Sequence, residues 1–305
     1  MLKSLALLST YVCAISAAAH APIREVVSQA AVSAGKTLPG FFKGYIYWAE
    51  PLQVFAPDGL AAYVERPAGR AQGFAADTDG RIAVAWSWKS GREGGIDFHD
   101  ASGALARRIQ TGRYSPTNLT FAEDHSLWTL GWQTDATSTT TMPDRNDYAI
   151  VRKFMPNGEQ AGAYLPRSGF PKGLEPGDRR WQLSNSITVS HDRVGLWLNS
   201  GMSGVETEWV ELDLDGKLTG RWRLDAFAND VRVAFTSDDH VFVYYRKGKP
   251  PEGRNPNLVI LDRQTSTWRS VESPPKASLV SADGDALIFA DDGDGPIHLR
   301  WYQHP

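Results

Sequence analysis

Three histidines stand beside acids in short turn-like phrases: His125 after Asp124, His191 before Asp192, and His240 after Asp239. Imidazoles of this kind bind zinc or copper, provided that the three ring tips come within about 4 Å of one another. A second constellation is rich in amides. Gln72, Asn118, Asn185, and Asn229 with Asp230 each stand just ahead of an apolar triplet. Converging amides and a carboxylate suit a sugar, an organic acid or a hard cation such as Ca²⁺. A third is basic and aromatic: Arg179, Arg180 and Trp181 can clamp a carboxylate or phosphate and stack on a ring. Each set also has a plainer explanation. His, Asp and Ser are ordinary turn residues, and an amide at the start of a strand bonds local backbone. Successive repeats set the three histidines well apart, so no metal is expected there.

The signatures of familiar chemistry are missing. "NSGMSG" does not fit Gly-x-Ser-x-Gly, because Ser203 is followed directly by Gly204 and Val205. Neither a His-Glu-x-x-His motif, a phosphate loop nor a dinucleotide fingerprint occurs. "DDGDG" (291–295) lacks the distal Glu of a calcium loop and reads as a turn.

The elements that must position these residues emerge from an internal repeat. "GFAADTDGRIAVAW" (73–86) returns as "LTFAEDHSLWTLGW" (119–132), "ITVSHDRVGLWLN" (187–199), "VAFTSDDHVFVYY" (233–245) and "SLVSADGDALIFA" (278–290). A second hairpin phrase alternates with it, beginning at "VFAPDGLAAYVE" (54–65). Asp-Gly and Asn-Gly turns between apolar runs are strong hairpin signals. Two hairpins per period of roughly 45 residues make a four-stranded antiparallel sheet, the unit of a β-propeller. The second strand of each first hairpin is apolar without alternation, as in Ile82–Ala85. That is expected of a strand buried on both faces between neighbouring blades. A β-sandwich need not keep the period, and a β-helix repeats in about half of it.

Five blades can be counted, with the C-terminal inner hairpin and the N-terminal outer hairpin (45–66) joined in one of them to close the ring. "GYIYWA" (44–49) and "PIHLRWYQ" (296–303) are spare strand-like pieces that keep six open. Residues 44–305 form the propeller, 22–43 an extension ahead of it, and "IREVVSQAAVSA" (23–34) is the one stretch that suits a short helix. In this four-stranded meander the long links between hairpins gather at one end of the blades, away from the tight turns. Rigid scaffolds commonly carry function on such loops.

The phrases "PTNLTFAEDHSLWTLGW" and "AQGFAADTDGRIAVAW", the latter followed by "GGIDFHDASGALARRI", resemble the repeats of NHL-type and related six-bladed propellers. The resemblance covers most of residues 50–303 and implies the fold. "SWKSGREGG" replaces the usual Asp…Asn…Arg stretch between hairpins, so no functional residue is carried over from it.

The first 21 residues, with Lys3, a short apolar run from Leu5 and a string of alanines, have the layout of a secretory signal. Cleavage near Ala19 or Ala21 removes Cys13, the only cysteine. The mature chain then has neither disulfides, thiol catalysis nor cysteine-ligated zinc. With 32 basic against 35 acidic residues and no run of like charge, a nucleic-acid surface is not expected. Nor is membrane insertion of the mature chain. The sequence thus points to a secreted or periplasmic propeller that binds a protein or small-molecule ligand through its long-loop face, without a cofactor. The alternative is a hydrolase or lyase at the axis, lactonase-like or glycosidase-like, using a divalent cation such as Ca²⁺.

Overall fold

The computed structural model describes residues 21–31, 40–49, 52–57, 61–88, 93–134, 147–169, 186–198, 207–224, 228–247, 256–291 and 295–304. They form six four-stranded antiparallel sheets. Blade I holds β2 (Gly40–Phe42), β3 (Tyr45–Ala49), β4 (Leu52–Phe55) and β5 (Ala61–Tyr63). Blade II holds β6 (Arg70–Ala76), β7 (Ile82–Ser87), β8 (Gly94–His99) and β9 (Leu105–Gly112). Blade III holds β10 (Tyr114–Phe121), β11 (Leu127–Gln133), β12 (Ala149–Phe154) and β13 (Gln160–Pro166). Blade IV holds β14 (Ser186–Ser190), β15 (Arg193–Leu198), β16 (Thr207–Asp213) and β17 (Leu218–Leu224). Blade V holds β18 (Ala228–Phe235), β19 (Val241–Lys247), β20 (Pro256–Asp262) and β21 (Thr267–Val271). Blade VI holds β22 (Ala277–Asp283), β23 (Ala286–Asp291) and β24 (Pro296–Gln303), and its outer strand is β1 (Arg24–Ala31). Among the described residues the one helical element is a single 3₁₀ turn, Arg167–Gly169.

The first strands of successive blades touch in sequence, and β2 touches both β22 and β6, so the ring is closed. Six blades correct the count of five. The N-terminal piece does not lend its outer hairpin to the C-terminal blade, because β2 and β3 complete a blade of their own. "PIHLRWYQ" is β24, and it pairs on its far side with β1.

β1 also replaces the short helix expected around 23–34. Ala, Gln and Glu are good helix formers, but such propensity is small against tertiary context, and the open edge of β24 together with Val26 and Val27 outweighs it. The ladder runs from Arg24 opposite Trp301 to Val27 opposite His298. The Arg24 guanidinium lies 4.5 Å from the Trp301 ring, and Glu25 accepts from Arg300 at 3.2 Å. The sequence reading sets residues 22–43 ahead of the propeller; in the structure β1 and β2 belong to it.

The doubly apolar strands have the predicted cause. Each interface between adjacent blades holds its own hydrophobic cluster. In β7, Ile82 and Val84 pack toward blade I, while Ala83 and Ala85 pack toward blade III. In β23, Leu287 and Phe289 serve blade V, and Ala286, Ile288 and Ala290 serve blade I. Alternate side chains of one strand therefore feed two different cores, and the strand is apolar up to its last residue.

Candidate functional site at the propeller axis

The six innermost strands surround the axis, and four of them are interrupted by a β-bulge. The pairing shifts between Ala71 and Gly73 in β6, Pro116 and Asn118 in β10, Ala228 and Val231 in β18, and Leu279 and Ser281 in β22. In blades II and III the extra residue follows four regular pairs counted from the tight turn. Gln72 is the extra residue of β6, Thr117 that of β10 with Asn118 directly after it, and Asn229 with Asp230 spans the bulge of β18. A bulge leaves a residue outside the ladder and re-aims its side chain. Of the amide constellation read from the sequence, Gln72, Asn229 and Asp230 thus fall on these irregularities and Asn118 directly follows one, toward the long-loop end.

Local contacts differ among them. The Gln72 amide donates to Ser87 Oγ at 2.9 Å and to the Arg70 carbonyl at 3.3 Å. Thr117 Oγ1 lies 3.0 Å from Asn118 Oδ1 and 3.1 Å from the Leu130 carbonyl. Asn229 and Asp230 are placed as strand residues, and their side chains lie outside the description. Asn185, Arg179, Arg180 and Trp181 lie outside the described residues altogether.

Two charged groups near the axis escape a reading based on motifs. Arg232 of β18 acts electrostatically on Tyr47 of β3, although blades V and I share no edge. Burial pushes the Tyr47 phenol above its ordinary range, and Arg232 opposes that shift. Lys43 occupies the β2–β3 turn with φ of 43° and donates its backbone N–H to Ser281 Oγ of blade VI at 2.9 Å. Burial pulls its ammonium below the ordinary lysine range, against the charges of Asp283, Asp77 and Glu123 from three other blades. Neither residue belongs to a repeated phrase. The signal that marks Lys43 is its place in the tight turn of an innermost hairpin.

The three histidines do not converge. Two clusters of metal-type ligands with donor atoms within 4.8 Å exist among the described residues, and each contains a different one of the three. His125 Nδ1 lies 2.9 Å from Asp77 Oδ2 of blade II, and His191 Nδ1 lies 3.5 Å from Glu123 of blade III. His240 pairs within its own turn, 3.0 Å from Asp238. The histidines are not equivalent even by position. His125, with φ of 62°, and Asp239, with φ of 68°, occupy the left-handed site filled by Gly80 in blade II, whereas His240 follows that site. His and Asp tolerate this region better than most side chains.

One cavity among the described residues lies away from the axis. It measures about 640 Å³ and is lined by Ser168, Glu208, Arg221, Arg223 and Ser266 at the rim. Its acid is already answered: Glu208 pairs with Arg221 at 2.5 Å and Arg223 at 3.3 Å.

No family model matches the chain, and no curated protein does. Solved structures match it in fold. Hydrazine synthase of Kuenenia stuttgartiensis is similar at 12% identity and TM-score 0.53, over 84% of this chain and 75% of that one. A protein of unknown function from Bacteroides caccae is similar at 12% identity and TM-score 0.50, over 89% and 83%. A gluconolactonase from Xanthomonas campestris is similar at 15% identity and TM-score 0.50, over 92% and 98%. At such identities the likeness is one of architecture. Together with six radial blades, it bears out the fold-level resemblance to six-bladed propellers.

Proposed function

We propose that this chain is an exported propeller that holds a small polar ligand on its axis, at the long-loop end. One observation carries the reading: innermost strands of three blades bulge where Gln72, Thr117–Asn118 and Asn229–Asp230 stand. Bulges break a ladder that would otherwise be continuous, and they recur beside binding sites because they free polar groups to face a ligand. Sugars, lactones and carboxylic acids match amides and a carboxylate on innermost strands, with Arg232 on the innermost strand of blade V. Cleavage near Ala19 or Ala21 suits this reading, since it leaves β1 intact from Arg24 onward.

A thermal-shift screen of the mature chain against those three compound classes, with and without Ca²⁺, tests the proposal. A ligand should raise Tm in the parent chain and lose that effect in Gln72→Leu and Asn118→Leu. A screen without any shift, or shifts untouched by both substitutions, would end it. Export is tested separately, by mass measurement of the product secreted from a bacterial host.

A second reading, a hydrolase or lyase on the axis, draws on Lys43. A lysine whose amine is made less basic by burial can serve as base or nucleophile near neutral pH. Lactone hydrolysis is the first activity to assay, and Lys43→Met should abolish turnover that wild type displays.

A further inference from the structure

We propose that Asp238, His240 and His304 form a binding site for a divalent transition-metal ion, with zinc the best chemical match. The site lies on the tight-turn face, outside the ligand site proposed above, and joins blade V to the segment that follows β24. Its three donor atoms all lie within 4.8 Å of one another. Asp238 Oδ2 is 3.0 Å from His240 Nδ1 and 2.8 Å from His304 Nε2.

The turn prepares the carboxylate for this role. Thr236 Oγ1 donates to Asp238 Oδ1 at 2.5 Å and accepts the backbone N–H of His240 at 3.1 Å. One carboxylate oxygen is therefore anchored, and the other faces two imidazoles. His240 Nδ1 is shielded from solvent, and the group that faces it is the Asp238 carboxylate, 3.0 Å away. A nitrogen that shares a carboxylate oxygen with a second imidazole is placed to share an ion with it. His304 is held by packing: its ring centroid lies 4.8 Å from that of His240 and 5.2 Å from that of Phe242.

The other cluster of this kind shows the contrast. Asp77 and Asp79 beside His125 already hold a cation, because Arg81 reaches them at 2.8 and 2.7 Å. Among the described residues, the charged partners of Asp238 are both imidazoles. Zinc takes His nitrogen and Asp oxygen at about 2.0–2.2 Å, which sets tetrahedral ligand–ligand edges of about 3.3 Å. The two edges at Asp238, 3.0 and 2.8 Å, need to open by only a few tenths of an ångström, and the two imidazole nitrogens already lie within 4.8 Å of each other. Two imidazoles and a carboxylate then fill three corners and leave the fourth for water. The ion would tie the end of blade VI to the turn of blade V, tightening the ring where its ends meet.

Titration calorimetry of the untagged, metal-stripped chain with Zn²⁺ alone tests the site, with Mg²⁺ as the control ion. We expect one zinc per chain, a rise in Tm with zinc and none with Mg²⁺. His240→Ala and His304→Ala should each weaken zinc binding at least about tenfold. His125→Ala should leave it unchanged. Co²⁺ bound to the unsubstituted chain should display ligand-field bands of a low-symmetry nitrogen–oxygen site, a reading independent of whether any variant folds. Absence of zinc binding overturns the proposal, as does binding that survives both substitutions or is lost on His125→Ala.

Discussion

The indole nitrogen of Trp86 donates a hydrogen bond to Asp97 Oδ1 at 2.8 Å, and both residues are buried. Arg108 completes the group with two bonds to the same carboxylate, at 2.7 and 2.8 Å. The arrangement recurs with other residues, where Trp209 and Arg263 converge on the buried Glu211. A carboxylate inside a sheet is tolerable because a tryptophan and an arginine supply the hydrogen bonds that water would otherwise make.

Removing the acid from that group leaves a buried indole N–H and a guanidinium without their acceptor. We expect Asp97→Ala to destabilise the fold by about 3 kcal/mol, measured as the change in urea midpoint at constant m-value. Arg108→Ala should cost less than Asp97→Ala, because Arg108 still touches solvent. Equal, small effects of both would show that the carboxylate is not a structural pin.

Gly73 adjoins the Gln72 bulge, and a Cβ there would lie 2.2 Å from the carbonyl oxygen of Thr117, the bulged residue of blade III. The neighbour is backbone and cannot rotate away. Gly73→Ala should therefore separate the two inner strands and destabilise by about 2 kcal/mol, with a parallel loss of any axial ligand. Guanidinium melts of the variant check the first part, and an unchanged melt would mean that the strands slide freely.

Deleting residues 21–31 removes β1 and exposes the free edge of β24. Tm should fall by at least about 5 °C, and the variant should self-associate as concentration rises, because an open edge is a template for pairing. Light scattering over a concentration series reads this directly. A monomer of unchanged Tm would exclude β1 as the closing strand.

His99 is buried, and its Nδ1 lies 3.1 Å from the Gly103 carbonyl. Burial holds its imidazole below the ordinary histidine value despite that bond and the nearby Asp97. The unfolded chain then takes up a proton that the folded chain refuses, so stability falls as pH drops below about 6.5. His99→Gln should flatten the loss between pH 6.5 and the folded value in urea melts; identical slopes would remove His99 as the cause. A further loss belongs to carboxylates. The Ser102 hydroxyl holds Asp100 below the ordinary range, and the Ser168 hydroxyl does so for Asp147. Their contribution is present above about pH 4 and disappears as pH falls through their lower folded values.

The hairpins, their period and the doubly apolar strands were legible in the residues, because a strand's neighbours along the chain impose its turn chemistry and its apolar pattern. Ile82–Ala85 announces two buried faces before any partner is known. What the sequence did not determine was the pairing of pieces remote from one another. β1 has an exposed outer face and weak local preference, and only the waiting edge of β24, some 270 residues later, makes it a strand. The same holds for chemistry. His125, His191 and His240 look alike in the sequence, yet one sits at a left-handed turn position against Asp77 and another shares Asp238 with His304. Residue type is local, whereas the distance between donor atoms is set by how blades close around an axis.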